Sequence, residues 1–232
     1  MTATVVVPGR FNGPRDSGNG GYTSGVIAAL LEEPVEVNLR SPVPLDEPLD
    51  LVRDGEVLRA LHGETTIAEA RQLPEFDLAV PPAVSLEEAR RASERYRGSS
   101  DGVFSTCFVC GPAREDSFGV FAGKVEGRDV VASPWTPPAW AAGSDGEVRP
   151  ELVWAVLDCP TYFALHLEGE LTLSMLVRQT AQTHAPVPAG EEHVVIAWPI
   201  AVDGRKRLAG SAILSADGEI LASAEALLIE PR

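Results

Sequence analysis

The chain repeats one order of predicted elements, and this repeat limits its possible folds more than any other feature. Each half reads as a strand, a loop, a mostly apolar helix and then four strands. Residues 62–70 align without a gap on residues 217–225. A length of 232 residues allows one large domain or two small ones. The repeat favours two related units that arose by duplication.

The predicted boundaries follow from a break in this pattern between the halves. The Pro81-Pro82 pair and a Gly-Ser-Ser sequence frame a short charged helix, in which Ser85 followed by Glu88 forms a capping box. We take residues 77–105 as a linker with this helix, residues 1–76 as the first unit and residues 106–232 as the second.

One helix is predicted in each unit. The first covers residues 22–31, and the second covers residues 148–160 and carries a single carboxylate, Asp158, among Leu, Val, Trp and Cys side chains. Pro160 cannot donate to a backbone carbonyl, so we expect it to kink this helix or to end a helical segment. A strand at residues 118–121 is predicted to open the second unit.

Composition excludes several classes of protein. The 34 acidic residues outnumber the 19 basic ones, and a net charge of −15 argues against a general nucleic-acid binder. No apolar stretch approaches the roughly 20 residues that cross a bilayer, and the N-terminus lacks the pattern of a signal peptide. Three cysteines do not form a secreted disulfide framework. We therefore expect a cytoplasmic protein that does not bind membranes.

Two of the cysteines form a Cys-x-x-Cys motif, Cys107-Phe108-Val109-Cys110. A structural zinc site needs four ligands, and the sequence offers no second pair, only Cys159 and scattered histidines. Redox chemistry is disfavoured because the motif does not follow a strand at the start of a helix. We expect two small, packed side chains and no metal, although zinc and redox chemistry stay open as alternatives.

The motif continues as Cys110-Gly111-Pro112, and this segment resembles the entry segment of acyl-CoA thioesterases of the phenylacetate-pathway type. A helix wrapped by an antiparallel sheet is similar to the hotdog fold of that superfamily. Two such units in one chain imply an α+β double hotdog, the fused form of the family's usual dimer. The alternative is a generic α+β chain, because weak repeats also occur by chance.

The resemblance also implies a composite site. Such thioesterases introduce the helix with His-Gly-Gly and place an acid nine positions after the His, in the opposite subunit's site. Here Asn19-Gly20-Gly21 matches the first part, but Ala28 stands at the acid position. In the second half Asp158 matches the acid, but Arg149-Pro150-Glu151 replaces His-Gly-Gly. Each half holds what the other lacks, so we expect one site that joins Gly20 or Gly21 to Asp158.

Each candidate residue has a chemical reason and an alternative interpretation. A free glycine amide at a helix start stabilises an oxyanion, and a poorly hydrated carboxylate serves as a base or nucleophile. Asn19 replaces the usual His and is expected to orient a carbonyl or water through its amide. The alternatives are a plain loop before a helix, for Asn19 to Gly21, and a buried acid bonded to backbone, for Asp158.

The substrate implied by the resemblance is an acyl-CoA, and no cofactor is implied beyond the CoA of the substrate itself. Its phosphates need cations, and the densest basic run is Arg205-Lys206-Arg207 at a predicted hairpin. A solvated hairpin tip is the alternative interpretation. A homo-oligomer is possible, because hotdog units commonly assemble further.

The sequence is compatible with three functions. The first is hydrolysis of an acyl-CoA or related thioester, assisted by Asp158. The second, a hotdog hydratase, is disfavoured because only His166 lies near Asp158 in the chain, beyond the helix end. The third is a non-catalytic protein that binds an acyl group or another hydrophobic small molecule on a degenerate hotdog scaffold.

Overall fold

A single antiparallel sheet of eleven strands dominates the structure, a computed structural model that describes residues 3–231. The strands follow one another across the sheet in the order β1-β3-β4-β5-β2-β8-β11-β10-β9-β7-β6. Three helices accompany them. The strands are β1 (Ala3–Val6), β2 (Val35–Leu39), β3 (Pro48–Asp54), β4 (Val57–His62), β5 (Thr65–Gln72), β6 (Gly123–Lys124), β7 (Val131–Trp135), β8 (Met175–Thr183), β9 (His193–Asp203), β10 (Lys206–Ser215) and β11 (Ile220–Ile229), and the helices are α1 (Gly20–Ala28), α2 (Leu86–Ser93) and α3 (Pro150–Ala164).

The two halves of the chain meet in the middle of this sheet, where β2 pairs with β8. The register runs from Val35 opposite Ala181 to Asn38 opposite Arg178. On the far side of each central strand lies the last strand of its own half, β5 beside β2 and β11 beside β8. The sheet therefore repeats one topology on both sides of the β2–β8 pair, as the duplicated sequence pattern predicts.

The segments that lead into α1 and α3 repeat the same hydrogen bonds. Each begins with a proline followed by a single 3₁₀ turn, Gly9–Phe11 in the first half and Ala139–Ala141 in the second. The Asn19 amide donates to the Phe11 carbonyl at 2.9 Å, and the Arg149 amide donates to the Ala141 carbonyl at 3.0 Å. Asn19 and Arg149 then cap their helices. The two helix entries are thus structurally equivalent, although they share little sequence.

The two central helices pack closely because α1 presents glycines to α3. A Cβ atom added to Gly25 would lie 2.6 Å from the Glu151 Cα atom, and one added to Gly21 would lie 2.6 Å from the Trp154 carbonyl oxygen. No side chain fits at either glycine without a shift of backbone. Glycines four residues apart form one groove on the surface of α1. This groove brings the middle of α3 against the first turn of α1.

Two features of the second half differ from the prediction. Residues 118–121 are not a strand, because Gly119 has a φ of +70° and the Phe118 amide bonds the Phe108 carbonyl at 2.7 Å instead of a sheet neighbour. The strand expected there begins later, as β6. Helix α3 also continues for four residues beyond Pro160. Two hydroxyls bond carbonyls next to the proline, from Ser211 to Leu157 and from Thr161 to Asp158, both at 2.6 Å.

The capping box of α2 is present as predicted, with Ser85 and Glu88 bonding each other's backbone amides. Helix α2 packs on the second half through buried Ala89 and Ala92, which join a cluster with Trp198. The division into residues 1–76, 77–105 and 106–232 stays a prediction. Its terminal residues 1, 2 and 232 lie outside the described part of the chain.

Candidate active site

Asp158 and Gly21 meet between the two halves of the protein. Asp158 lies in the middle of α3, and its Oδ2 atom accepts a hydrogen bond of 2.9 Å from the Gly21 amide at the start of α1. The two residues are 137 positions apart in the chain, and Asp158 is 8% exposed. The contact depends on glycine, because a Cβ atom at Gly21 would lie 2.5 Å from the Asp158 Cβ atom. The association predicted from the split pattern is therefore present in the structure.

The surroundings of Asp158 change its acidity. Burial raises the pKa of this carboxyl to about 7, the Gly21 hydrogen bond acts in the opposite direction, and the nearby Cys107 thiol adds to the rise. Removing water penalises the charged form, and the single amide donor offsets only part of that penalty. A carboxyl with such a pKa exchanges a proton near neutral pH, as a general base must.

The two glycine amides in the first turn of α1 differ in their hydrogen-bond partners. The Gly21 amide is engaged by Asp158, and the Tyr22 amide donates to the Asn19 side-chain oxygen at 2.8 Å. Within residues 3–231, no hydrogen-bond acceptor lies in range of the Gly20 amide. Gly20 lines a cavity together with Asp158. The amide of Gly20 is therefore the donor at the helix start that stays available to a ligand.

The cavity is mostly apolar and has a volume of about 230 Å³. Asp158, Asn19, Gly20 and the serines Ser17, Ser41 and Ser174 contribute its polar groups. Arg40 also lines it and pairs with Glu69 at 2.8 Å. A pocket with few polar groups in an apolar wall is typical of small-molecule sites. The apolar side chains that line it come from both halves: Leu39, Val43, Phe104, Tyr162, Phe163, Met175, Leu176, Val177 and Leu228.

Three thiols form one wall of this cavity. Cys107, Cys110 and Cys159 all line it, and the Sγ atoms of Cys107 and Cys159 are 3.6 Å apart. The Asn19 Nδ2 atom lies 3.5 Å from the Cys159 sulfur and 3.9 Å from the Cys107 sulfur. Asn19 therefore caps the helix and contacts the thiols. The sequence does not reveal this cluster, because Cys159 is 52 positions from Cys107. The sequence also does not show which side of α3 faces the Cys-x-x-Cys turn.

The equivalent position in the other half lacks both functional groups. Ala28 stands on α1 where Asp158 stands on α3, and Pro150 stands at the first position of α3 where Gly20 opens α1. Proline has no amide hydrogen to donate. The next acids along the chain are Glu32 and Glu33, and Glu33 accepts a hydrogen bond of 3.2 Å from the Trp154 indole. The asymmetry predicted from the sequence is thus present in the two helix starts.

The predicted phosphate-binding run does not line the cavity. Arg205 donates to the Glu230 carbonyl oxygen at 2.8 Å, and the Arg207 guanidinium pairs with the Glu230 carboxylate. Arg207 is nevertheless the cross-strand neighbour of Leu228, which does line the cavity. The run therefore lies at the turn and the start of β10, one strand away from the cavity wall.

Other polar residues considered for the site lie elsewhere. Gln179 is fully buried and donates to the Trp154 carbonyl at 3.0 Å, so it supports α3 next to Asp158 without reaching the cavity. His166 bonds the Tyr162 carbonyl oxygen and Thr172, and His184 bonds Ser223. Neither histidine lines the cavity. This placement gives no support to a hydratase that pairs Asp158 with a histidine.

Comparison with solved structures identifies the fold. A hot dog fold protein from Alicyclobacillus acidocaldarius matches 99% of this chain and 92% of its own, with a TM-score of 0.62 and 14% identity. A candidate thioesterase from Novosphingobium aromaticivorans matches 99% of this chain and 95% of its own, with a TM-score of 0.63 and 9% identity. The predicted hotdog fold is confirmed, and the two halves described above present it twice.

A thioesterase superfamily protein is also similar, over 52% of this chain, with 25% identity and a TM-score of 0.47. The chain spans 61% of the length of that protein. Comparisons of the sequence with family profiles and with curated proteins find no match. Among residues 3–231, no helix has the length and apolar character needed to cross a bilayer.

Proposed function

We propose that this hotdog-fold chain is a thioesterase that hydrolyses an acyl-CoA, or a related acyl thioester, at one composite site between its halves. The observation that carries the proposal is the 2.9 Å hydrogen bond from the Gly21 amide to Asp158, in the wall of an apolar cavity. The similarity to a candidate thioesterase over nearly the whole chain adds support.

The reaction assigns a separate task to each group. Water adds to the thioester carbonyl carbon while the Asp158 carboxylate accepts its proton. The free Gly20 amide donates to the oxygen that becomes negative, at the positive end of the α1 dipole. The carbon–sulfur bond then breaks, and the leaving thiolate takes the proton from Asp158. The Gly21 amide holds the carboxylate in place throughout.

The cavity limits the acyl group that the site accepts. Its volume of about 230 Å³ and its aromatic and branched aliphatic lining favour an apolar acyl chain or a ring of modest size. For a CoA substrate, we further propose that the hairpin run Arg205-Lys206-Arg207 contacts the phosphates, from its position beside Leu228.

Hydrolysis of a panel of acyl-CoAs, followed by release of the free thiol, tests the proposal. We expect turnover of at least one thioester and a loss of about a hundredfold or more in kcat for Asp158→Asn, as is typical when a general base is removed. Asp50→Asn, a change at an exposed strand position, is the matched control and retains full activity.

Two results would contradict the proposal. One is the absence of hydrolysis with every thioester of the panel, and the other is full activity in Asp158→Asn. Saturable binding of an acyl-CoA without turnover would instead favour the non-catalytic binding protein, which uses the same cavity.

A further inference from the structure

The cavity wall contains an unusual concentration of sulfur. The Sγ atoms of Cys107, Cys110 and Cys159 all lie within 4.8 Å of one another. These are the only three cysteines of the sequence, and all three are buried. Three thiols from two distant segments therefore lie close together, which simple packing of small side chains does not require. Hydrolysis as proposed above uses none of them.

The spacing suits a thiophilic metal ion. A tetrahedral zinc ion with bonds of about 2.3 Å to sulfur holds its sulfur ligands about 3.8 Å apart. Cys107 and Cys159 are already at 3.6 Å, and the other two separations do not exceed 4.8 Å. The two distances from the Cys110 sulfur need to shorten by at most about 1 Å. Small rotations of the cysteine side chains are sufficient for this change.

The backbone holds the three positions in place. Cys107 and Cys110 belong to a tight turn closed by the Gly111 amide, which donates to the Cys107 carbonyl at 2.8 Å. The Tyr96 hydroxyl donates to the Cys110 carbonyl at 2.5 Å. Cys159 is fixed by its position inside α3. Ligands held on rigid backbone favour metal binding, because little order has to be imposed when the ion arrives.

We propose that Cys107, Cys110 and Cys159 bind one Zn²⁺ ion, with the fourth coordination position directed into the cavity. All three residues line the cavity, so the open side of the sulfur triangle is the side that a ligand reaches. Three protein ligands with one open position are the pattern of reactive rather than structural zinc sites. The fourth ligand is then water or a donor atom of the bound small molecule.

The surroundings are compatible with the charge of such a site. The Asn19 amide donates toward the Cys107 and Cys159 sulfurs, and metal-bound thiolates commonly receive such hydrogen bonds. A divalent ion with three thiolates leaves one negative charge, far less than three free buried thiolates would carry.

Cobalt substitution in the full-length, fully reduced protein tests the site without any activity measurement. After removal of metal with a chelator, we expect one Co²⁺ per chain, a sulfur-to-cobalt charge-transfer band and the intense visible bands of tetrahedral cobalt. Zn²⁺ displaces the cobalt and abolishes these bands. The triple variant Cys107→Ser, Cys110→Ser, Cys159→Ser serves as the control for weak binding by surface carboxylates, and it lacks the charge-transfer band.

A second measurement keeps the test decisive if the triple variant fails to fold. In the wild-type chain, stoichiometric Zn²⁺ should slow iodoacetamide alkylation of all three thiols at least tenfold, as counted by mass. The proposal is overturned if the alkylation rates are unchanged, or if reduced wild type gives no charge-transfer band. A disulfide between Cys107 and Cys159 that forms in air, in a chain that binds no cobalt after reduction, would assign the pair to redox chemistry instead.

Discussion

Gly20 and Pro150 occupy the same position at the starts of two equivalent helices, and they differ in one chemical respect. Glycine offers an amide hydrogen to a ligand and allows close approach, whereas proline offers none. The Gly20 amide has no partner among the described residues, next to a cavity that also contains Asp158. The proposed oxyanion donor is therefore a single N–H group that one substitution removes.

Gly20→Pro removes this donor and keeps the start of the helix. Proline is well tolerated at the first helical position, and Asn19 already has the extended conformation that a residue before proline adopts. We expect kcat for a thioester substrate to fall about 10²–10³-fold, the usual cost of one oxyanion donor. Thermal unfolding checks that the fold is retained.

Gly20→Ala is the matched control for that variant. An added Cβ atom meets Leu176 at 2.9 Å and Leu39 at 3.1 Å, both of them side-chain tips, while the amide hydrogen stays in place. The control should lose much less activity than the proline variant. Equal losses in the two variants would assign the effect to crowding of the cavity and remove the role of the Gly20 amide.

Residue patterns also mark the limits of what the sequence predicts. The partnership of Gly21 with Asp158 was predictable, because the two incomplete copies of one pattern complement each other. The sequence does not predict which glycine amide Asp158 engages, since that depends on how closely α1 and α3 approach. The convergence of Cys159 on Cys107 and Cys110 is also hidden, because it depends on which side of α3 faces the Cys-x-x-Cys turn.

At the scale of elements, the glycine groove of α1 controls how closely the two central helices approach. Gly25 lies within the groove, one turn after Gly21, and contacts the backbone of α3. The distance from the Gly21 amide to the Asp158 carboxylate depends on this packing, because each group belongs to a different helix. Helix packing and the geometry of the site are therefore linked.

Gly25→Ala separates helix propensity from packing. Propensity alone would stabilise α1 by about 1 kcal/mol. The added Cβ atom, however, would lie 2.6 Å from the Glu151 Cα atom and 2.8 Å from the Trp154 Cβ atom. Because overpacking costs about 1–3 kcal/mol and the nearest atom is backbone, we expect a net decrease in the free energy of unfolding.

Denaturant unfolding measures this effect, with Gly102→Ala as the control. A Cβ atom at Gly102 meets its nearest neighbour at 3.6 Å, an ordinary contact, so this change should leave stability nearly unaltered. An increase in the stability of Gly25→Ala would show that the helices separate easily, and the groove would then not set their distance.

The hairpin between β9 and β10 carries the basic run that the sequence offers for CoA. Replacing Arg205, Lys206 and Arg207 together by Gln should raise KM for an acyl-CoA at least about tenfold, because each hydrogen bond to a charged group contributes about 1.5–3 kcal/mol. An N-acetylcysteamine thioester of the same acyl group has no phosphate, so its KM should stay constant. A rise in KM for both thioesters would point to a general disturbance of β10.

The elements were predictable to different degrees, for physical reasons. Strands β2 and β3 contain alternating apolar and polar residues, and Asp54-Gly55 marks the turn before β4, so the sequence pattern gives the positions of these strands. Residues 118–121 are equally apolar, yet the positive φ of Gly119 turns the chain away from the sheet. Helix α3 continues past Pro160, and hydroxyls from Ser211 and Thr161 bond the carbonyls of Leu157 and Asp158 in this part of the helix. Ser211 is 54 positions from Leu157, so a single-sequence pattern contains no record of this partner.

The β2–β8 pair and the contact of α1 with α3 unite the two hotdog units of the chain. Without the second half, β2 would expose an unpaired edge with Val35 and Val37, and the glycine groove of α1 would face water. Apolar edges of this kind promote association. The two halves therefore depend on each other for burial as well as for the candidate site.

Separate expression of residues 1–76 and 77–232 tests this dependence. We expect each fragment alone to lack thioesterase activity, and a mixture of the two to recover activity as they associate through β2 and β8. Size-exclusion chromatography and thioester hydrolysis follow the two effects. Activity in the larger fragment alone would contradict a site that needs Gly20.

The difference between Gly20 at the start of α1 and Pro150 at the start of α3 affects the number of sites that each chain carries. A symmetric pair of identical hotdog subunits carries two equal sites and is bound to keep both, because any mutation appears in each. Fusion into one chain removes that constraint, so α3 can start with proline and α1 can carry Ala28 at the acid position while the composite site is kept. With one composite site, each chain should bind one acyl group at a time. The start of α3, which is not part of the proposed chemistry, can then change in sequence without loss of activity.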